Sequence, residues 1–489
     1  MTSIRRALGL SFIERYALIF LNLASYVLIA RLLTPEEIGL YSVTAAIVGI
    51  AQVLREFSIG NYLIQAQNLD RGRLDTALGI SLPAGAAMFV IGLLAAPWIA
   101  KFYQDERLTD ILYVVCISFL ILPFCSIATA LLRRHMSFGA LMVISIVAGV
   151  GSFVTTVVMA LMDFGPVSLA WGTVVANAIT AVYAWHKLGR ERRPGRMAFT
   201  HWRELVEFGR PNTFAGVITT VATDVNDLCA AKILGFAQVA LISRALGMMN
   251  IVQRDLLNAV RNVAYPAFAA AQRDGKNLEP LFIASTAAVT ALTWTFFGMM
   301  ALFPLEALRL LAGPQWDAAA GMVTLFACTG ICLSFITFVP NLIMATGRAD
   351  LTMRAEISAS MVRLVLVIGA ALIFREMKAV AIAYAIASVL TVPVFYYFKN
   401  QCVPNDWGLM LRRCAKSAQV AAVCLVLPLA VSVHAGLGRT TPIPLTQFGL
   451  VCVATVAIWL VALRLCRHDL AREPIYQRLM ARLGWPTPA

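Results

Sequence analysis

Apolar residues run along this chain in long unbroken stretches, and the polar residues are gathered into the gaps between them. Fourteen stretches stand out, near 11–33, 38–59, 77–100, 109–132, 138–162, 167–186, 210–231, 236–257, 280–304, 318–341, 352–374, 379–398, 416–436 and 445–466. Each holds about 20 residues or more, which at a rise of 1.5 Å per residue crosses a ~30 Å hydrocarbon core as an α-helix. The pattern predicts an all-α, polytopic membrane protein with fourteen spans. The first stretch follows Met1-Thr2-Ser3-Ile4-Arg5-Arg6, is long for a secretory signal and shows no clear cleavage site between Ala24 and Leu33. It is read as an uncleaved first span.

The gaps carry a second pattern. Assigned to the nearer membrane face, 29 Lys and Arg fall on the side of the N-terminus, every second loop and the C-terminus. Eight fall on the other side, and Arg15, Arg244 and Arg363 lie within spans, which accounts for all 40. By the positive-inside rule both termini are expected in the cytoplasm. An even number of spans requires the same.

The halves echo one another. Ala30-Arg31-Leu32-Leu33 closes span 1 and Ala231-Lys232-Ile233-Leu234 closes span 7, and Ser42 matches Ser243. Ala66-Gln67 and Ala271-Gln272 follow spans 2 and 8, while Val167-Ser168-Leu169-Ala170-Trp171 and Val380-Ala381-Ile382-Ala383-Tyr384 open spans 6 and 12. Six spans is an even number, so the second half repeats the first in the same orientation. The expected architecture is two parallel-repeat six-helix bundles around a central cavity, 1–186 and 210–400, a transporter arrangement. A basic cytoplasmic linker, 187–209, joins them, and 401–489 adds two further spans and a basic tail. Within the linker Trp202, Leu205 and Val206 share a helical face opposite Arg203, Glu204 and Glu207, which predicts a short interfacial helix.

Composition agrees: 60% of residues are hydrophobic and 13% charged. The net charge of +14 is explained by inside loops facing anionic lipid, and no soluble segment is long enough for a nucleic-acid-binding domain. The ten cysteines lie mostly within spans, and none forms an outer-loop pair that would imply a disulfide. Cys328 and Cys332 share a helix face, but with no His nearby they are read as small buried hydrophobes, so no metal is expected. No cofactor is expected either, and the absence of G-x-x-x-x-G-K-[ST] excludes ATP-driven transport by this chain.

Leu33-Thr34-Pro35-Glu36-Glu37-Ile38-Gly39-Leu40-Tyr41 reads as a tight turn and helix start: Thr34 caps, Pro35 takes the first helical position and the acids meet the positive end of the dipole. The segment resembles the first-loop signature of the Wzx-type polysaccharide flippases, members of the multidrug/oligosaccharidyl-lipid/polysaccharide exporter superfamily. Phe57 to Gln65, Phe208-Gly209-Arg210-Pro211, Asp227 to Gly235, Tyr265-Pro266-Ala267-Phe268 and Met344-Ala345-Thr346-Gly347-Arg348 are also family-like. The resemblance covers about residues 10 to 400. It departs at Glu56, displaced from the usual acid position, and at Ala240-Leu241-Ile242-Ser243, where Gly-x-Tyr-Ser is common. It implies flipping of polyprenyl-diphosphate-linked oligosaccharide across a bacterial inner membrane, with membrane lipids, a polysaccharide polymerase and export machinery as partners.

Charges within spans need a reason, since each costs ~2.5–3.5 kcal/mol at the bilayer centre even on insertion scales. Arg244 and Arg363 are the candidate cations for an anionic headgroup. Asp224 and Asp227 share a face of span 7 and are candidate partners for Arg244 or coupling residues, with Glu14 beside them in the latter role. Arg363 is expected to find no acid in its own span. Glu14 with Arg15, and Arg55 with Glu56, are expected to snorkel to the interface. Asn22, Asn212 and Asn226 are candidate sugar contacts. A cation-coupled multidrug exporter is the alternative transporter. A membrane glycosyltransferase or polymerase is disfavoured because the outer loops are short.

Overall fold

A computed structural model describes residues 20–21, 24–66, 69–189, 195–436, 439 and 441–482, with a number of side chains in 211–262 and 474–482 excepted. Every regular element among them is helical. Among the described residues eleven helices are long and apolar enough to cross a membrane, and they coincide with predicted spans 2–6 and 9–14. They are α1 (Pro35–Glu56), α3 (Arg71–Tyr103), α4 (Arg107–Arg134), α5 (Phe138–Leu161), α6 (Val167–Leu188) and α10 (Leu278–Leu302). The composite span 10 follows, then α14 (Ala349–Phe374), α15 (Met377–Asn400), α16 (Trp407–His434) and α17 (Leu445–Leu465). Span 1 is described only in part, over residues 20–21 and 24–33.

Spans 7 and 8 differ from expectation. The helix predicted at Trp202 begins there but runs on without interruption to Leu234, so the expected interfacial segment is the first turns of span 7 (α7, Trp202–Leu234). Leu205 on its predicted apolar face is fully buried. Span 8 is longer than its hydropathy suggests. It comprises α8 (Phe236–Asn250), a π-helical turn (Ile251–Leu256) and α9 (Leu257–Arg273). Span 10 is also broken, into a 3-10 turn (Pro314–Ala319), α12 (Ala320–Leu333), a second 3-10 turn and α13 (Val339–Ala345), where Pro340 sits in the first turn.

Two units emerge, Met1–Ala240 and Leu241–Ala489. In the first, span 3 packs on span 4, span 4 on span 6 and span 5 on span 6. In the second, spans 9 and 10, 10 and 12, and 11 and 12 pair in the same way. The seven-residue helix α2 (Ile59–Gln65) that ends span 2 packs on span 4, as α9 of span 8 packs on α13 of span 10. The same order of span pairings thus occurs in both units.

The Thr34 motif folds as read. Thr34 Oγ1 accepts from Glu37 N (3.3 Å), Glu37 Oε2 accepts from Thr34 N (2.8 Å), and Pro35 opens the helix. Gly39 lies where a Cβ would stand 2.2 Å from the Phe236 carbonyl oxygen, so only glycine lets these two backbones approach. The linker is strapped along α3. Gly195 N and Arg196 N donate to Asp75 Oδ1, Ala198 N to the Asp75 carbonyl, and Arg73 pairs with Glu204 at 3.2 Å.

Spans 13 and 14 are fastened to span 9 at both of its ends. Fully buried Lys399 gives its protons to Glu279 Oε2 (2.5 Å), Asn405 Oδ1 (2.9 Å) and the Val403 carbonyl (3.4 Å), while Glu279 Oε1 accepts from Asp406 N. On α11 (Pro304–Leu311), just beyond α10, buried Glu306 Oε1 accepts from Arg439 Nε (3.0 Å), Arg439 Nη2 (2.7 Å) and Ile443 N. Between these clamps Ser417 bridges to the Ala287 carbonyl, and Trp459 donates to the Ala291 carbonyl.

Candidate functional site

The two irregular helices of the second unit are joined by a chain of polar contacts. In the π turn Gln253, itself buried, donates from Nε2 to the Gly330 carbonyl at 2.9 Å. The Gln253 carbonyl accepts from Arg261 Nη2 at 2.7 Å, and the Arg261 carbonyl accepts from Asn341 Nδ2 at 3.4 Å. A π turn and a helix break release backbone groups that need partners. Within a membrane they persist only where protein or a wet cavity satisfies them. Here Gln253, Arg261 and Asn341 take that role.

Arg261 is half-buried, and its Nε is buried with no hydrogen-bond partner among the described residues. It interacts electrostatically with Glu356 on α14, which in turn interacts with Arg363 two turns further along the same helix. Arg363 stacks over the Tyr384 ring of α15 at 5.4 Å, and its Nε is likewise buried without a partner. Spans 8, 11 and 12 therefore bring two guanidinium groups and one exposed carboxylate into one cluster, each cation retaining unused donor capacity.

This corrects one expectation. Arg363 does have an acid in its own span: Glu356 lies seven positions earlier, two helical turns and so on the same face. That spacing was legible in the sequence. Arg261 was missed because hydropathy ends span 8 at 257, whereas the helix continues to Arg273.

Arg244 is 8% exposed, with its guanidinium 4.4 Å from the centre of the fully buried Trp316 ring. The stacking partner comes from the 3-10 turn that opens span 10. The expected pairing with Asp224 or Asp227 falls outside the described side chains, as do Asn212 and Asn226. Glu14 and Asn22 lie outside the described residues altogether.

The expectation that Arg55 snorkels is also overturned. Arg55 is 3% exposed in the first unit, and its Nε and Nη1 are buried without hydrogen bonds among the described residues. It sits in the last turn of α1, where Phe57 and Ser58 adopt left-handed conformations before α2 begins. Arg55 is thus buried at the turn between the two helices. Among the described residues no group of His, Cys, Asp and Glu could hold a metal ion.

The comparisons with known proteins fit this architecture. The chain is 23% identical over 351 residues to the lipopolysaccharide biosynthesis protein WzxC of Escherichia coli K12, covering 71% of each chain. It is 21% identical over 379 residues to the teichuronic acid biosynthesis protein TuaB of Bacillus subtilis 168, covering 77% of this chain and 78% of the other. The succinoglycan biosynthesis transport protein ExoT of Rhizobium meliloti 1021 is 25% identical over 356 residues, covering 70% and 69%. Among solved structures the fold is similar to the lipid II flippase MurJ in an inward closed conformation, with a TM-score of 0.73 at 11% identity over 95% of this chain and 99% of that one. An inward-facing multidrug resistance MATE transporter aligns with a TM-score of 0.63 at 15% identity, over 80% and 97%. Residues 28–321 match the polysaccharide biosynthesis protein family, and the chain belongs to that family.

Proposed function

We propose that this protein flips polyprenyl-diphosphate-linked oligosaccharide units across a bacterial inner membrane by alternating access, with both termini in the cytoplasm. The observation that carries the reading is the Arg261–Glu356–Arg363 cluster, with Arg244 on the same unit. Among the described side chains, Arg261 and Arg363 share the single carboxylate of Glu356, and this local excess of positive charge favours an anionic cargo. Unaided passage of a diphosphate through hydrocarbon costs tens of kcal/mol in the Born limit. Arg261 and Arg363, each with a buried Nε left over, lower that cost, because guanidinium groups meet phosphate oxygens in a bidentate fork. Relatives named for lipopolysaccharide, teichuronic acid and succinoglycan biosynthesis support a glycan cargo.

In this reading Arg244 and Arg363 contact the headgroup as the sequence suggests, and Arg261 joins them. Asn22, Asn212 and Asn226 contact sugar, and Asp224, Asp227 and Glu14 serve coupling. A polysaccharide polymerase and export machinery take up the delivered units. The same fold serves multidrug transport, but a cationic drug would be repelled by this excess of arginine. Deletion of the gene followed by lipid analysis is the direct test. Lipid-linked repeat units should accumulate on the cytoplasmic face, and unchanged levels with normal polysaccharide export would overturn the proposal.

A further inference from the structure

Glu356 is an acid in a site that, on the function just proposed, must hold an anion. Its side chain is exposed, it lies within electrostatic reach of both Arg261 and Arg363, and no hydrogen bond to either fixes it. The two arginines stand on spans 8 and 11, and each keeps a buried, unpartnered Nε. We propose that Glu356 is a resident counter-ion. It neutralises the two arginines when the transporter is empty and gives way when the diphosphate of the cargo arrives.

Charge arithmetic gives the reason for such a group. A diphosphate diester carries one negative charge on each phosphoryl group. With Glu356 ionised, the trio bears one net positive charge when empty and one net negative charge when loaded. Without the carboxylate the values become two positive and zero. The loaded state would then be favoured heavily over the empty one, and a carrier that holds its cargo too well does not release it. The carboxylate brings the two states close in electrostatic cost, so that both halves of the cycle proceed. Its place on an exposed helix face, rather than locked in a bidentate pair, lets it move aside.

The inference rests on the proposed function, and the experiment separates the two. Farnesyl diphosphate binding to the purified full-length protein in lipid nanodiscs is measured by titration calorimetry, with farnesol as the uncharged control. Polysaccharide export is measured in cells carrying the same variants. Glu356→Gln should bind farnesyl diphosphate roughly 10-fold tighter, the effect of one screened charge contact, while export falls. Glu356→Asp keeps the charge on a shorter stem and should bind about 2- to 3-fold tighter than wild type, by the distance dependence of the same attraction. It decides the matter if the Gln variant does not accumulate. Wild-type binding with affinity unchanged or weakened in the variants overturns the counter-ion role alone. Wild type that binds farnesyl diphosphate no better than farnesol overturns the functional proposal and this inference together.

Discussion

Arg363 combines three properties at one position: a charge in the middle of an apolar span, a ring beneath the guanidinium and a buried donor without a partner. Loss of a charge-assisted hydrogen bond costs about 1.5–3 kcal/mol. Arg363→Ala is therefore expected to reduce polysaccharide export roughly 10-fold or more, with protein level and membrane insertion intact. Arg363→Lys should retain part of the activity, because a point charge replaces a planar fork. Full export by the Ala variant would remove Arg363 from the site, whereas loss of the protein itself would assign it a structural role. His468, beyond the last span, gives a different residue-scale prediction. Its Nδ1 accepts from Leu470 N at 3.2 Å, so the proton is on Nε2, facing Ser417 Oγ at 3.1 Å. Burial holds its pKa below the ordinary value of 6.5, with Asp469 and Lys416 as the nearby charges. The unfolded chain then binds the proton more readily than the folded one. This contribution to stability is present above pH 6.5 and is lost as pH falls through that value towards the lower folded pKa. Thermal unfolding of the solubilised protein should show that loss between pH 7 and pH 5, and His468→Gln should flatten it.

Among elements, the clamp that joins span 9 to the loop between spans 12 and 13 is the most demanding electrostatically. Lys399 and Glu279 are both removed from water, and each is satisfied only through the other and their neighbours. Removing one partner of a buried pair costs about 3–5 kcal/mol, whereas replacing both with apolar groups is often neutral. Lys399→Met should unfold or fail to accumulate, and adding Glu279→Met should restore much of the melting temperature. A single variant as stable as wild type would show that the pair carries little. The contact between spans 2 and 8 depends instead on the absence of a side chain. Gly39→Ala places a methyl group against the Phe236 carbonyl, where no flexible side chain is available to give way. Overpacking of this kind costs about 1–3 kcal/mol, which a thermal shift in detergent would register. An unchanged melting temperature would mean that the backbones part more easily than the geometry suggests.

For the molecule as a whole, orientation is the quantity that the charge pattern predicts. Single cysteines at Gln104 and Gly313, in a cysteine-free background, should react with an impermeant thiol reagent in intact cells whose outer membrane admits it. Cysteines at Gly195 and Gly275 should not. The reverse labelling would invert the topology. Gln104 and Gly275 end helices in left-handed conformations at exposed turns, so reagents reach them without disturbing a packed span.

Hydrophobic runs such as 138–162 and 445–466 became helices almost residue for residue, Phe138–Leu161 and Leu445–Leu465. In hydrocarbon a single chain segment satisfies its own backbone only as a helix, so composition and length are enough to determine the element. The Thr34-Pro35-Glu36-Glu37 cap was equally local and equally legible. The Glu356–Arg363 spacing could have been read from one helix alone. What lay beyond the sequence was every contact made across helices distant in the chain: Arg261 with Glu356, Arg244 with Trp316, Lys399 with Glu279. The π turn at Ile251–Leu256 belongs with them, since its released carbonyl is stabilised by Arg261 and its Gln253 by a carbonyl of the broken span 10. A sequence specifies which groups are too polar to stay in lipid, through the cost of exposing them there. Only the packing of the spans decides which of those groups meet.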